Sequence, residues 1–300
     1  MREELFKNCT LCPRKCNVNR LEGKRGYCGM DGTIRAARAA LHMWEEPCIS
    51  GKKGSGAVFF SGCGLRCCFC QNRDIAIGDS GKEISVERLA EIFLELQEKG
   101  AANLNLVTGA HYVPHIILAL ELARGKGMNL PVVYNSSGYE SVETIRRLDG
   151  YVDVYLPDMK YMEPELAAAF SNARDYPQAA QSAIAEMMRQ TGPCQFAEDG
   201  YIKRGTIVRH LILPGHTKNS IAVLKYLYRT YGEDIFISVM NQYTPVWKNE
   251  KFPELNRKVT RREYEKVLDA AIELGIENGY FQEGETAEES FIPAFDYEGV

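Results

Sequence analysis

From about Gly54 onward the chain alternates short apolar runs with longer stretches whose apolar residues recur at helical spacing, and this constrains the fold more than any other feature. Strands are expected at Val58–Ser61, Asn103–Thr108, Pro131–Asn135, Val152–Leu156, Thr206–Leu213 and Ile235–Met240. Between them lie predicted helices. The first follows Ser85, a residue suited to cap a helix, and runs to Gly100 with Leu89, Ile92, Phe93 and Leu96 on one face. Others are expected at Val113–Arg124, Val142–Leu148 and Ile221–Tyr231. Residues 163–190 read as two alanine-rich helices broken near Pro177, and Cys194–Arg204 as a hairpin turning at Asp199-Gly200. A last helix follows Thr260, whose pairing with Glu263 has the form of a capping box. Six such units in series call for a parallel sheet, since each strand needs a crossover to return to the same edge. They are too few to close an eight-stranded barrel.

At 300 residues one α/β domain with a large core is expected. A net charge of -4 without a basic stripe argues against a nucleic-acid partner. No apolar run approaches a membrane span, and the start M-R-E-E-L-F-K-N-C lacks the apolar stretch of a signal peptide. A cytoplasmic protein is expected. In a reducing compartment its ten cysteines read as metal ligands or redox groups.

The loop after the first strand, S-G-C-G-L-R-C-C-F-C-Q (Ser61 to Gln71), places Cys63, Cys67 and Cys70 at C-x3-C-x2-C spacing, with Phe69 before the last. Three thiolates in a short loop suit a soft metal, and a cubane cluster with one ligand per iron would keep one iron open. Open coordination separates a reactive site from a structural one. A zinc site, or Cys68 in place of one of the three, is the alternative.

This spacing and the aromatic resemble the signature of radical S-adenosylmethionine (SAM) enzymes. The resemblance implies a partial (β/α)6 TIM-type barrel, a 4Fe–4S cluster on Cys63, Cys67 and Cys70, SAM on the free iron, and reductive cleavage to a 5'-deoxyadenosyl radical. It also implies SAM contacts at the strand ends: Phe69 in the loop, Thr108 and Gly109 where a G-G-E motif usually stands, and Asn135 and Ser136 in Y-N-S-S-G. Asp158 and Lys160 in L-P-D-M-K, Arg209 in I-V-R-H-L-I-L-P-G facing a SAM carboxylate, and Gln242 or Tyr243 near adenine complete that set. Among the five histidines, His111 is the best functional candidate, with a structural role as the competing reading.

Ahead of the barrel, C-T-L-C-P-R-K-C-N-V-N-R and G-Y-C-G supply Cys9, Cys12, Cys16 and Cys28, enough to close a second metal site. A zinc ion, a second iron–sulfur cluster and free thiols are the alternatives. This arm, together with H-M-W-E-E-P-C-I-S-G (His42 to Gly51), D-Y-P-Q-A-A (Asp175 to Ala180), E-M-M-R-Q (Glu186 to Gln190) and the tail F-I-P-A-F-D-Y-E-G-V, resembles the PflX family, radical SAM proteins named for similarity to pyruvate formate-lyase activating enzyme. The expected division is a Cys-rich arm over 1–53, the barrel over 54–280 and a tail over 281–300 packed on it. The resemblance implies an electron donor such as flavodoxin or ferredoxin. As substrates, the backbone glycine of a glycyl-radical enzyme, another peptide and a small molecule stand as alternatives, the last with the mouth partly covered by the helices of 163–190 and the tail. A non-catalytic metal-binding sensor is the reading from another class.

Overall fold

The computed structural model describes residues 4–78, 80–282 and 293–300. Its strands are β1 Ile34–His42, β2 Ser55–Phe60, β3 Lys82–Ile84, β4 Leu104–Val107, β5 Val132–Ser136, β6 Val154–Pro157, β7 Gln195–Phe196, β8 Ile202–Leu211, β9 Phe236–Met240 and β10 Gly279–Phe281. They form one sheet in the order β10-β9-β8-β6-β5-β4-β2-β1-β3, with β7 hairpinned onto β8. Every pairing from β2 to β10 along that path is parallel. β10 and β3 end the path without pairing to each other, so the α/β sheet curls as an open, partial barrel.

The strand and helix periodicities land where the sequence places them. Ser85 accepts the Arg88 N–H and starts the helix Val86–Glu98, which buries Leu89, Ile92, Phe93 and Leu96. Each such side chain, fully buried, contributes roughly 1.5–3 kcal/mol. The capping box of Thr260 and Glu263 opens the helix Arg261–Leu274. The break in the alanine-rich stretch falls at Asn172, in the left-handed conformation, between the helices Pro164–Ser171 and Tyr176–Thr191. Pro177 instead sits in the first turn of the second helix, where its missing N–H costs nothing.

Three strands escaped the sequence reading: β1, β10 and β3, the last only three residues long. β10 adds a parallel strand beyond the expected six; it is three residues long and begins with Gly279, too little pattern to recognise. β1 lies inside the stretch 1–53 and runs antiparallel to β2. Its sequence, I-R-A-A-R-A-A-L-H, has four alanines and no clean alternation, so it gives no strand signal. The segment between β1 and β2 then enters the barrel. There Cys48 and Ile49 of the short helix Pro47–Ser50 pack on Val133, Val154, Leu156 and Ile207 and plug its lower interior.

Of the tail, residues 283–292 lie outside the described residues. Residues 293–300 lie along β1: Tyr297 N–H donates to the Ala37 carbonyl, and Ala39 N–H to that of Glu298. Among the described residues, no helix is long and apolar enough to cross a membrane.

Candidate active site

The loop leaving β2 brings Cys63, Cys67 and Cys70 to one wall of a cavity of about 330 Å³. That is near the lower end of the roughly 300–1,000 Å³ of small-molecule sites. Arg66 adopts the left-handed conformation just before Cys67, which folds the loop tightly enough to turn the sulfurs inward. Hydrogen bonds reach the sulfurs: Leu65 N–H donates to Cys63 Sγ at 3.4 Å, and Ser171 Oγ to Cys67 Sγ at 3.1 Å. Burial pushes the thiol of Cys67 up to about 11 and that of Cys70 up to about 12, while Lys160 pulls both down. Thiolates here therefore need a compensating positive centre. The three sulfurs share one wall within electrostatic reach of one another, and no fourth cysteine joins them in the described lining. The donor set thus fits a cluster with an open iron better than zinc. Cys68 is absent from the lining; its N–H is tied to the Phe170 carbonyl.

The ends of the parallel strands complete the cavity. Phe69, Thr108, Asn135, Ser136, Asp158, Lys160, Arg209 and Gln242 all line it. Thr108 is held at φ 60°, an unusual conformation for a β-branched residue, and borders this cavity on one side and a smaller one behind the loop on the other. Gly109 is not in the lining: it faces the core, where a Cβ would collide with Ile116. Tyr243 is also outside, its ring edge-on to Phe69 and its hydroxyl donating to the Leu255 carbonyl. Gln242 remains at the wall, with Gln282 donating to its side-chain oxygen. Lys160 Nζ stands 2.5 Å from Asp158 Oδ2. Burial works against the Lys160 charge, and Asp158 with Cys67 outweighs it, so the amine is held above its usual range. The turn carrying the pair is braced by Tyr176, whose hydroxyl accepts the Lys160 N–H and lies 2.9 Å from the carbonyls of Ser137 and Asp158.

Arg209 points into the barrel, but its carboxylate partners belong to the chain. Nε and Nη2 form a fork on Glu46 at 2.9 Å each, and Nη2 also bonds Glu45. Glu45 further accepts from Asn105 at 2.9 Å and Asn135 at 3.3 Å. Burial opposes the Glu46 charge, yet Arg209 holds that carboxyl below its ordinary value. Arg209 thus meets carboxylates supplied by the chain itself through Nε and Nη2, while still lining the cavity in which a SAM carboxylate is expected. Glu45 and Glu46 were missed because the pair E-E-P reads as a solvated turn; adjacent acids beside otherwise apolar residues were the available signal.

His111 lies behind the loop, buried, with Nε2 2.8 Å from the Ser61 carbonyl. Burial pushes its pKa down to about 3, so it is a neutral structural histidine. The helices of 163–190 supply no residue to the cavity wall; they back the cysteine loop instead, through Phe170 and Ser171. This overturns their expected place over the mouth.

The Cys-rich arm also docks behind that loop. Arg14 donates to the carbonyls of Gly64 at 2.9 Å and Ser171 at 2.9 Å, and to that of Asn172. Cys12 and Cys28 border the small rear cavity together with Cys63 and Glu140. Cys9 and Cys16 lie within electrostatic reach of Cys28. Burial pushes the Cys12 thiol up to about 12 and the Glu140 carboxyl up to about 8.

Residues 57–227 match the family model of the radical SAM superfamily. The chain belongs to the radical SAM superfamily. An uncharacterized protein of Methanocaldococcus jannaschii is 30% identical to it over 276 residues, 90% of this radical SAM chain and 75% of the relative. The pyruvate formate-lyase-activating enzyme of Clostridium pasteurianum is 27% identical over 113 residues, 36% of this chain and 46% of that one. Among solved structures, HydG, a maturase of the FeFe-hydrogenase, shares the fold with a TM-score of 0.50 at 16% identity, over 77% of this chain and 52% of its own. The radical SAM chain thus spans about half the length of that structure and less than half of the activating enzyme.

Proposed function

We propose that this radical SAM protein is of the PflX type and acts on a segment of a protein or peptide brought to the barrel mouth. Bound at the cavity, a 4Fe–4S cluster and SAM would supply a 5'-deoxyadenosyl radical able to take a hydrogen atom. The observation that carries this reading is the shared wall: three thiols without a fourth, facing polar strand ends across one cavity. Cys63, Cys67 and Cys70 hold the cluster, and Lys160 offsets negative charge beside them. Thr108, Asn135, Ser136 and Gln242 offer hydrogen bonds to SAM, and Phe69 an apolar surface. The Arg209–Glu46 pair braces the wall of the cavity.

The cavity would hold both the cluster and SAM, and its open side at the strand ends is where a substrate would approach. Similarity to an activating enzyme favours a glycyl-radical enzyme as that partner. A flavodoxin or ferredoxin would donate the electron, in the cytoplasm. Reconstituted protein given dithionite and SAM should form 5'-deoxyadenosine, and the Cys67→Ala variant should fall to background. Equal formation by both proteins would remove the enzyme reading. A glycine-centred radical signal on candidate partners would establish activation, whereas rapid SAM cleavage beside silent partners would move the substrate to a small molecule.

A further inference from the structure

We infer that Cys9, Cys12, Cys16 and Cys28 hold a second 4Fe–4S cluster, fully ligated by the protein, with Arg20 as its counter-charge. Arg20 is 1% exposed, and its hydrogen bonds run to backbone carbonyls: Nε and Nη2 to Asp31, Nη1 to His111. The guanidinium is sandwiched near the rings of Phe6 and Tyr112. Among the described residues no carboxylate bonds it. A buried cation without an anion is expensive, so the site is built for a negative charge that its protein atoms lack. Cys9 is able to carry one, and its Sγ lies 4.0 Å from Nη1.

Cys28 lies within electrostatic reach of Arg20, Cys9 and Cys16, and Cys12 within reach of Cys28 and Cys9, with Cys12 and Cys28 on one small cavity. The backbone is shaped around the sulfurs as well. Tyr27 N–H donates to Cys16 Sγ at 3.2 Å, and a Cβ on Gly26 would come to 3.3 Å from that sulfur. Lys15 and Asn17, on either side of Cys16, both adopt the left-handed conformation.

Four thiolates around a zinc ion or a cubane both leave a net negative centre, which is what Arg20 lacks. Position decides between them. Cys12 and Cys28 share the rear cavity with Cys63 of the barrel loop, so a centre here abuts the one that must receive electrons, and of the two only a cluster carries electrons.

The position also suggests its use. Cys12 Sγ would lie 3.4 Å from a Cβ on Gly64, the residue after Cys63. One electron taken from a flavin or iron–sulfur donor protein would reduce the arm centre and leave it again towards the Cys63 loop. The donor loses one electron and the loop's centre gains it, with no proton moved and no bond made or broken. The choice of a cluster and its use rest on the radical SAM reading of the barrel; a metal on the arm does not.

The test separates the two centres. Anaerobically reconstituted wild-type protein should hold about eight irons per chain, and a Cys63→Ala/Cys67→Ala/Cys70→Ala variant about four. The latter, reduced with dithionite, should show a cluster electron paramagnetic resonance signal that SAM leaves unchanged, because no iron is open. A Cys12→Ser/Cys28→Ser variant should keep about four irons and a signal that SAM perturbs. An alanine variant that is folded by circular dichroism but free of iron, or that carries one zinc instead, would overturn the proposal. Loss of iron from the serine variant's barrel alone would count against the barrel reading and leave the arm cluster standing.

Discussion

Arg209 shows how a single residue can be placed well by its neighbours in sequence and misjudged in its partner. Its alternation with apolar residues points it into the barrel, and it is there. Glu45 and Glu46 come from a segment more than a hundred and sixty positions away, and nothing local announces them. Two carboxylates on one guanidinium, with Asn105 and Asn135 filling the remaining lone pairs, make a buried polar set in which each member depends on the rest. An Arg209→Met variant should lose about 3–5 kcal/mol in urea unfolding, because it strands two buried charges. Adding Glu45→Gln and Glu46→Gln should restore most of that loss. If the triple variant is no more stable than Arg209→Met, the charge account is wrong and packing of the guanidinium matters instead.

Among the elements, those with strong period or strong caps were legible: the helix after Ser85, the helix after Thr260, and the parallel strands up to Met240. The elements that were hidden lack either kind of signal. β1 is alanine-rich, β10 is short, and the plug Pro47–Ser50 is one turn long, so only tertiary packing defines them. The cysteine loops were legible for a different reason, since ligand spacing survives without secondary structure. Motifs can also be legible yet mute about role. E-M-M-R-Q is a tie within the helix Tyr176–Thr191: Gln190 donates to Glu186 and to the Ile145 carbonyl and accepts from Tyr155, and Arg189 bonds Glu186 and Asp149. Arg189 and Gln190 hold the Glu186 carboxyl down at about 2. Its contribution is present in full above the ordinary carboxylate range and is lost as pH falls from there through about 2. Arg189 is 57% exposed, so screening limits the gain to about 1 kcal/mol. Glu186→Gln should therefore lower stability by that amount at pH 7, and the difference from wild type should shrink towards pH 3. A constant difference across that range would contradict the assignment.

For the whole molecule, the open sheet leaves β1 near an edge, and the tail closes it. Arg38 of β1 bonds Asp296 at 2.6 Å and also Glu298, beside the backbone bonds to Tyr297 and Glu298. Exposed strand edges recruit other strands. A chain ending at Ile292 should unfold at lower urea and self-associate in light scattering; a monomer of unchanged stability would show that the tail protects nothing. At the opposite end of the chain, the arm's anchor is Arg14, and its acceptors are the carbonyls of Gly64, Ser171 and Asn172. On the ribosome those acceptors emerge long after Arg14 does. The arm therefore gains its full anchor only after residues more than 150 positions downstream have folded, and until then the rear of the cysteine loop stays open. A cluster inserted from that side would have to arrive before the helix Pro164–Ser171 has formed and the arm settles onto it.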